Sequence, residues 1–375
     1  MHFSWPKEYQ THRAAVETFV RERVNPLLEG HDALQEFPRE AWQACADFGI
    51  QSLAVGEVNF SRALLAMEGF GYACRDNGLP FALNAQMWTV MTPLLHFGSP
   101  EQHEKYLHPL AQGELIGAHA LTEPNAGSDV MSMRLAAKKV DGGYLLNGEK
   151  WLITLGPVCD VALVIANARP ERGKWGLAAF LVESGTPGFV QSEKHSKMGM
   201  RCVPIGGFTF TDCFVPEENL VGSEGSGFGI LNHSLEYDRC SILASQLGAM
   251  ERQLEVSIDY VKNREQFGQA VGKFQSVANR IVDMKLRLET ARLLLYKTAW
   301  LKEQGKPATL EAALLKLQLS EAFVASSLDA MRNHGGIAYL TETGVERDLR
   351  DAVGGLLYAG TSDIQRNIIA QLLGL

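Results

Sequence analysis

The chain reads as an α+β protein: a helical region, a small β region and a second helical region. Three observations predict this order. Apolar residues recur at helical spacing from residue 8 to about 115, short β-rich runs separated by Gly/Pro turns occupy about 118 to 224, and steps of three and four return after Gly227. The division expected is 1–117 (N-terminal helical domain), 118–226 (middle β domain, a small barrel or sandwich) and 227–375 (C-terminal four-helix bundle). With 375 residues, 46 % hydrophobic and 21 % charged, there is enough chain to bury a core in each, and disorder is not the default.

The elements follow in order. Breaks at Pro26, Pro38, Gly49, Gly78–Pro80 and Ser99–Pro100 cut the first region into helices. In the middle, "DVALVIA", "LAAFLVES" and "GGFTFTDCFVP" read as strands, and the Asn147–Gly148 pair in "YLLNGEKWLIT" predicts a two-residue hairpin. In the third region Leu243, Leu247, Met250, Leu254, Ile258 and Val261 share one helical face, and Val277, Ile281, Met284, Leu288, Ala291 and Leu295 share another, the pattern of antiparallel bundle helices. Gly305–Pro307 and Gly335–Gly336 punctuate this region, and no 20–50-residue repeat is visible.

Charge and composition exclude several classes. The formal charge is −8, and no basic run with interleaved aromatics offers a nucleic-acid groove. The opening "MHFSWPKEYQTHRAAVETFVRERV" turns charged and amphipathic at once, unlike a secretory signal, and nowhere do about 18 uncharged apolar residues run together. The six cysteines lack a C-x-x-C and fit reduced thiols, so a cytoplasmic protein without a membrane span is expected. The ten histidines show no ligand spacing, so no metal is assigned.

Three stretches carry the chemistry. "LTEPNAGSDV" (121–130) is a turn shaped by Pro124 and Gly127, with Thr122, Ser128 and Asp129 around it; on composition alone it is a polar loop. "REQFGQAVGKFQ" (264–275) reads as a helix end with a Gly turn into the next helix. "LLYAGTSDIQRN" (356–367) places a turn at Gly360 before Thr361, a helix N-cap candidate with Asp363 two places on. An open helix end suits an anion or cofactor oxygen, because its first N–H groups have no internal partner.

Taken together and in this layout, these motifs resemble the acyl-CoA dehydrogenase superfamily of flavoproteins over nearly the whole chain. "KMGMRCVPIGGFTFTDCFVPEENLVGSEGSGF" (197–228), "RNHGGIAYL" (332–340) and "ERDLRDA" (346–352) add to the match. The wording of "LEYDRCSILASQLGAMERQLE", "MKLRLETARLLLYKTAW" and "YAGTSDIQ" is most similar to the subgroup that oxidises aminoacyl groups, notably prolyl, tethered to carrier proteins.

The resemblance implies FAD, with contacts from Thr122 and Ser128 to the ring and pyrophosphate and from Thr154 to the reactive ring edge. It implies that Arg264, Phe267 and Gln275 reach the adenosine and phosphate part on a neighbouring subunit, and that Gly336 and Thr361, with Asp363 in the same helix turn, complete the set. A homotetramer, or at least a dimer, follows. Two positions depart from the family pattern: Leu152 stands where an aromatic usually covers the flavin, with Trp151 one residue early, and Arg332 stands where Gln is common, where it can bond a phosphate or the substrate. Most of a Gly-rich loop usual after "FGI" is also missing.

The family reaction takes an α-proton and a β-hydride from an acyl thioester, and the proton needs a carboxylate base in a dry pocket. Many relatives place a Glu where this chain has Ala359. The carrier-protein subgroup places the carboxylate directly before an arginine in the helix that begins near 230, which here is Asp238 before Arg239, the latter orienting the base. Asp is one methylene shorter than the usual Glu. Glu236, two residues earlier, points to nearly the opposite side of the helix at about 100° per residue.

The function expected is therefore FAD-dependent α,β-dehydrogenation of an acyl or aminoacyl thioester, on a carrier-protein phosphopantetheine or on coenzyme A. The alternatives are an ordinary short- or branched-chain acyl-CoA dehydrogenase and a catalytically silent flavin-binding partner subunit. Docking of an acidic carrier would need a basic patch, for which Lys194, Lys197 and Arg201, or Lys285, Arg287 and Arg292, are the candidates.

Overall fold

A computed structural model describes residues 5–375; the first four residues of the amphipathic opening stretch lie outside the described part. The first region is helical from Lys7–Phe19 through Arg39–Phe48, Phe60–Ala73, Gly78–Gln86 and Thr92–Phe97 to a last short helix, His108–Ala111. Gly49 ends the second of these in the left-handed conformation (φ +93°), and the Asn59 side chain caps the third by accepting from the Arg62 N–H.

The middle region holds eight strands: β1 (Gly117–Ala120), β2 (Ala136–Val140), β3 (Gly143–Thr154), β4 (Val161–Asn167), β5 (Leu177–Glu183), β6 (Phe189–Gln191), β7 (Ile205–Pro216) and β8 (Leu220–Val221). They form one sheet in the order β6-β7-β3-β2-β4-β5-β8, with β1 parallel to β4. The continuous apolar runs "VALVIA" and "LAAFLV" are β4 and β5, buried on both faces.

The hairpin expected at Asn147–Gly148 is not there. β3 runs straight through that pair, and the register shifts between Leu146 and Gly148. Gly148 takes φ +136° in this bulge, while the Asn147 amide exchanges hydrogen bonds with Asp212 on β7, from Nδ2 to Oδ1 (3.1 Å) and from the Asp212 N–H to Oδ1 (2.9 Å). The tight turn is at Asp141–Gly142, between β2 and β3, where Gly142 supplies φ +74°.

In the third region the helices are Gly227–Ser241, Ala244–Asn263, Gln275–Glu303, Thr309–His334, Val345–Gly354 and Ser362–Leu372. Leu243, Leu247, Met250, Leu254 and Val261 are buried as the periodicity requires, as are Met284, Leu288, Ala291 and Leu295. The two helical regions then join without a gap. Phe60–Ala73 crosses Ala244–Asn263 backbone to backbone: a Cβ on Gly71 would lie 1.8 Å from the Ser245 carbonyl oxygen, and one on Gly248 would lie 1.9 Å from that of Glu68. Beside this crossing, the fully buried Glu68 carboxylate accepts from Arg292 (2.9 and 3.0 Å) and from the Tyr296 hydroxyl (3.0 Å).

"ERDLRDA" fastens all three regions. Asn77 donates to Asp348 (2.9 Å) and Asp351 (3.0 Å), the Met200 N–H donates to Asp351 (2.5 Å), and Arg350 meets Asp32 (3.1 Å). No helix among the described residues is long and apolar enough to cross a membrane, and no group of three or more potential metal ligands occurs among them.

Candidate active site

Asp238 lies late in the Gly227–Ser241 helix, 5 % exposed, and its Oδ1 has no hydrogen-bond partner among the described residues. Burial pushes its carboxyl up from 3.8 to about 7, while the charges of Arg239 and Lys316 pull it back. Among the described residues Arg239 makes no ion pair within 4 Å and its Nε is unpartnered, and burial lowers its pKa. Lys316 is fully buried, donates to the Gly355 carbonyl (2.7 Å) and lies 5.9 Å from the centre of the Tyr358 ring; burial lowers it to about 8. Gln246 donates to the Tyr358 hydroxyl, whose pKa is raised by burial and then by Asp238.

Glu236 is committed elsewhere. It binds Lys302 (2.7 Å) and accepts from Thr309 (3.2 Å), and the Lys302 ammonium also lies 3.8 Å over the Tyr237 ring. Ala359 sits in the left-handed region (φ +53°) beside Gly360 (φ +84°), and Gln365 Nε2 braces both carbonyls at 3.0 and 3.1 Å. Thr361 caps the Ser362–Leu372 helix by accepting from the Ile364 N–H (3.2 Å). Asp363 is exposed and pairs with Arg366 (3.1 Å).

The 121–130 turn is anchored by a buried ion pair. Glu123 accepts from the Arg134 (2.6 Å) and Leu135 (2.9 Å) N–H groups and from Lys150 Nζ (3.0 Å), which also donates to the Leu121 carbonyl (2.8 Å). Desolvation lowers Lys150 to about 8 despite the Glu123 charge. The Trp151 N–H donates to the Thr122 carbonyl (2.8 Å), so Thr122 is held against β3. Thr122 and Thr154 are half-buried and Ser128 is exposed. A second register shift, between Lys150 and Ile153, puts Leu152 at φ +56° and turns both Trp151 and Leu152 outward. Trp151 packs on His195 with ring centres 4.5 Å apart.

Arg264, Phe267 and Gln275 are elsewhere. The stretch expected as a helix end with a Gly turn is a two-stranded hairpin, Glu265–Gln266 with Gln269–Ala270, and Phe267 at its tip is 94 % exposed with φ +53°. Tyr260 stacks on His334 (4.4 Å) and Arg280 donates to Asn333 (2.8 Å), so the hairpin, Gln275, Arg332 and Gly336 share one end of the bundle. Arg332 and Gly336 are exposed, and Arg332 pairs with Asp329 (3.2 Å). Lys302, which holds Glu236, is 27 residues along the same helix from Gln275, a rise of roughly 40 Å. Within one chain the two sets of residues therefore stand at opposite ends.

Of the two expected basic patches, one is taken up by ion pairs and the other is bonded to backbone carbonyls, which leave its charge uncompensated. Lys285, Arg287 and Arg292 pair with Glu289 (2.6 Å), Asp329 (2.8 Å) and Glu68 (2.9 Å). Lys194, Lys197 and Arg201 donate to the carbonyls of Gln35 (2.6 Å), Met200 (2.5 Å) and Ala33 (3.4 Å), fastening the 193–201 segment to itself and to the first region.

The N-terminal, middle and C-terminal domains of acyl-CoA dehydrogenases match residues 6–114, 118–213 and 225–374. The chain belongs to the acyl-CoA dehydrogenase family. It is an enzyme, an oxidoreductase of acyl thioesters with the three-domain fold of that family. Among its relatives is an L-prolyl-[peptidyl-carrier protein] dehydrogenase of Serratia sp., 41 % identical over 342 residues, 90 % of this chain and 89 % of that protein. Among solved structures, the prolyl acyl carrier protein oxidase AnaB has a TM-score of 0.97 at 45 % identity, covering 99 % of this chain and 100 % of its own. PigA with FAD and proline also has a TM-score of 0.97, at 37 % identity over the full length of both chains.

Sequence reasoning did not find Gln246, Lys316 or Tyr358, nor the Glu123–Lys150 pair. A signal for Lys316 was present: in "EAALLKLQLSEA" it falls four after Ala312 and three before Leu319, a charge in core register.

Proposed function

We propose that this family member removes hydrogen across the α,β-bond of a prolyl or similar aminoacyl group carried as a thioester on a carrier protein, with FAD as cofactor and Asp238 as base. One observation supports this above the rest. The only carboxylate left both buried and partly unpartnered on the Gly227–Ser241 helix is Asp238, because Glu236 is paired and Ala359 has no acid to offer. A base with a pKa near 7 is matched to proton abstraction at neutral pH.

The residues fit a flavin. Near the Ala359–Gly360 turn, Ser362 Oγ and Gln365 Oε1 are buried without partners, and the capped helix end beside them offers backbone donors. Thr122, Ser128, Leu152 and Thr154, with Thr361 and the Asp363 turn, would hold FAD in one copy. Arg264, Phe267, Gln275, Arg332 and Gly336 would reach the same FAD from a second copy, since their end of the bundle is remote from Asp238. When bound, FAD supplies the acceptor for the β-hydride. Asp238 takes the α-proton, Arg239 and Lys316 temper the basicity of its carboxylate, and the two outward side chains Trp151 and Leu152 form the cover on the β3 side.

A homotetramer, or a dimer as the smallest complete unit, is part of this reading. Its support is the exposed apolar surface that one chain leaves: Phe267, Tyr339 (84 %) and the stripe Val282, Leu286 and Leu293 on the Gln275–Glu303 helix.

The test is anaerobic bleaching of the holoenzyme by prolyl carrier protein and by prolyl-coenzyme A. Faster bleaching by the carrier-bound group is expected. Equal or faster bleaching by the coenzyme A thioester would assign the ordinary acyl-CoA dehydrogenase instead.

A further inference from the structure

On the helix that carries the base, His233 Nδ1, Ser234 Oγ and Arg239 Nε also lack partners among the described residues, and of these three residues Ser234 is the buried one. Ser234 is 1 % exposed, and its hydroxyl has no hydrogen-bond partner among the described residues. It lies four residues before Asp238, so the two side chains share a face with Cβ atoms about 5–6 Å apart. Helical side chains lean towards the N-terminus, which brings the Asp238 carboxyl over the turn that begins at Ser234.

The two do not bond to each other. Some buried helical hydroxyls in this protein bond back to the carbonyl four residues earlier, as Ser241 does to Tyr237 (2.6 Å), Thr298 to Leu294 (2.7 Å) and Ser320 to Lys316 (2.5 Å), whereas Ser61, Ser257 and Ser326 are unpartnered like Ser234 but have no unpartnered carboxylate one turn away on their helices. Ser234 makes no such bond. A buried hydroxyl and a buried carboxylate oxygen, neighbours on one face and both unsatisfied, describe a place prepared for a polar group from outside the chain.

We propose that Ser234 reads the amino nitrogen of the aminoacyl group and so selects it over a plain acyl group. This rests on the function proposed above. The nitrogen of an aminoacyl thioester is bonded to the carbon that loses its proton. If Asp238 addresses that proton, the nitrogen is one bond away, on the side where a hydroxyl one helical turn from the base can meet it. A hydroxyl accepts from an ammonium or donates to a free amine, so recognition survives either protonation state. A plain acyl group puts a methylene there and leaves Ser234 buried and unpaired, which penalises the wrong substrate.

The experiment compares a prolyl group with its carbocyclic isostere, cyclopentanecarbonyl, on the same carrier protein, following anaerobic flavin reduction in wild-type and Ser234→Ala holoenzyme. The wild type should prefer prolyl by about ten- to a hundredfold, the factor that one hydrogen bond of this kind supplies. Ser234→Ala should lose most of that preference by slowing the prolyl reaction alone. If the alanine variant loses its flavin, Ser234→Cys, nearly isosteric and a weak hydrogen-bonder, takes its place. A preference that is unchanged, or an equal slowing of both substrates, overturns the role of Ser234 while leaving the proposed function in place. A wild type that ignores prolyl carrier protein overturns both.

Discussion

The two ends of the C-terminal helices are built on opposite principles. At one end Asp238, Ser234 and Lys316 are buried, the first two with unsatisfied oxygens and Asp238 with a carboxyl shifted towards neutrality. At the other, Arg264, Phe267 and Gln275 stand in the open, Arg264 on a hairpin whose tip is a bare aromatic ring. The first end suits proton transfer, which a low dielectric assists; the second suits capture of a charged, bulky group arriving from outside. On the function proposed above, the difference teaches that each end would need the opposite end of a second copy to complete a site.

The largest effect expected is at the buried end. Asp238→Asn should slow flavin reduction by about 10²–10⁴-fold while FAD content stays unchanged, checked by anaerobic stopped-flow and absorbance. Loss of flavin together with activity would erase the contrast between the two ends.

Next comes the exposed end. Arg264→Ala should weaken FAD binding by about ten- to a hundredfold, the worth of a charge-assisted hydrogen bond, without altering the rate constant of the flavin that remains. The contrast sharpens if the two variants are co-expressed. Random dimers of Asp238→Asn and Arg264→Ala chains should regain about a quarter of the wild-type sites, because mixed dimers hold one site with both residues intact. No recovery would place both residues in sites of the same chain.

A smaller and more graded effect is expected with pH. The rate should rise as the pH climbs to about 7 and level off above it, as Asp238 loses its proton under the influence of Arg239, Lys316 and Tyr358. The stability change runs the other way. Because the folded carboxyl holds its proton up to about 7 and the unfolded one only to 3.8, the stability it contributes is full below 3.8 and lost as the pH rises to about 7. Asp238→Asn should therefore melt higher than wild type at pH 8, by at most about 4 kcal/mol in thermal unfolding.

The smallest kinetic effect belongs to Glu236→Gln. Reduction should be nearly unchanged, while the melting temperature falls because Lys302 loses its partner at a cost of about 1–3 kcal/mol. A large kinetic effect here would mean that the base has been assigned to the wrong face of the helix.

What could be read from the sequence was what depends on near neighbours. Period and punctuation were enough for helical, β and helical regions, whereas Asp238 before Arg239 was singled out only through the family resemblance. Pairings across long separations could not be read. Glu68 meets Arg292 from 224 residues away, and Glu123 meets Lys150 from 27 away, so neither segment announces its partner. Arg292 was misjudged as surface for this reason. The hairpin shows a different limit: "VDGGYLLNG" carries two turn signals close together, and only the reciprocal bonds between Asn147 and Asp212 decide that the second is a bulge.

The turn at Ala359 has a bearing on how such enzymes diverge. It is held by Gln365 and by Gly360, not by the side chain at 359, and its left-handed backbone penalises every L-residue, Ala included. Exchange of Ala for an acid there would leave those braces in place. With Asp238 as the proposed base, the scaffold would thus offer two seats for one catalytic duty, and that duty could pass between the Gly227–Ser241 helix and this turn by point substitutions, without insertion, deletion or a new path for the chain.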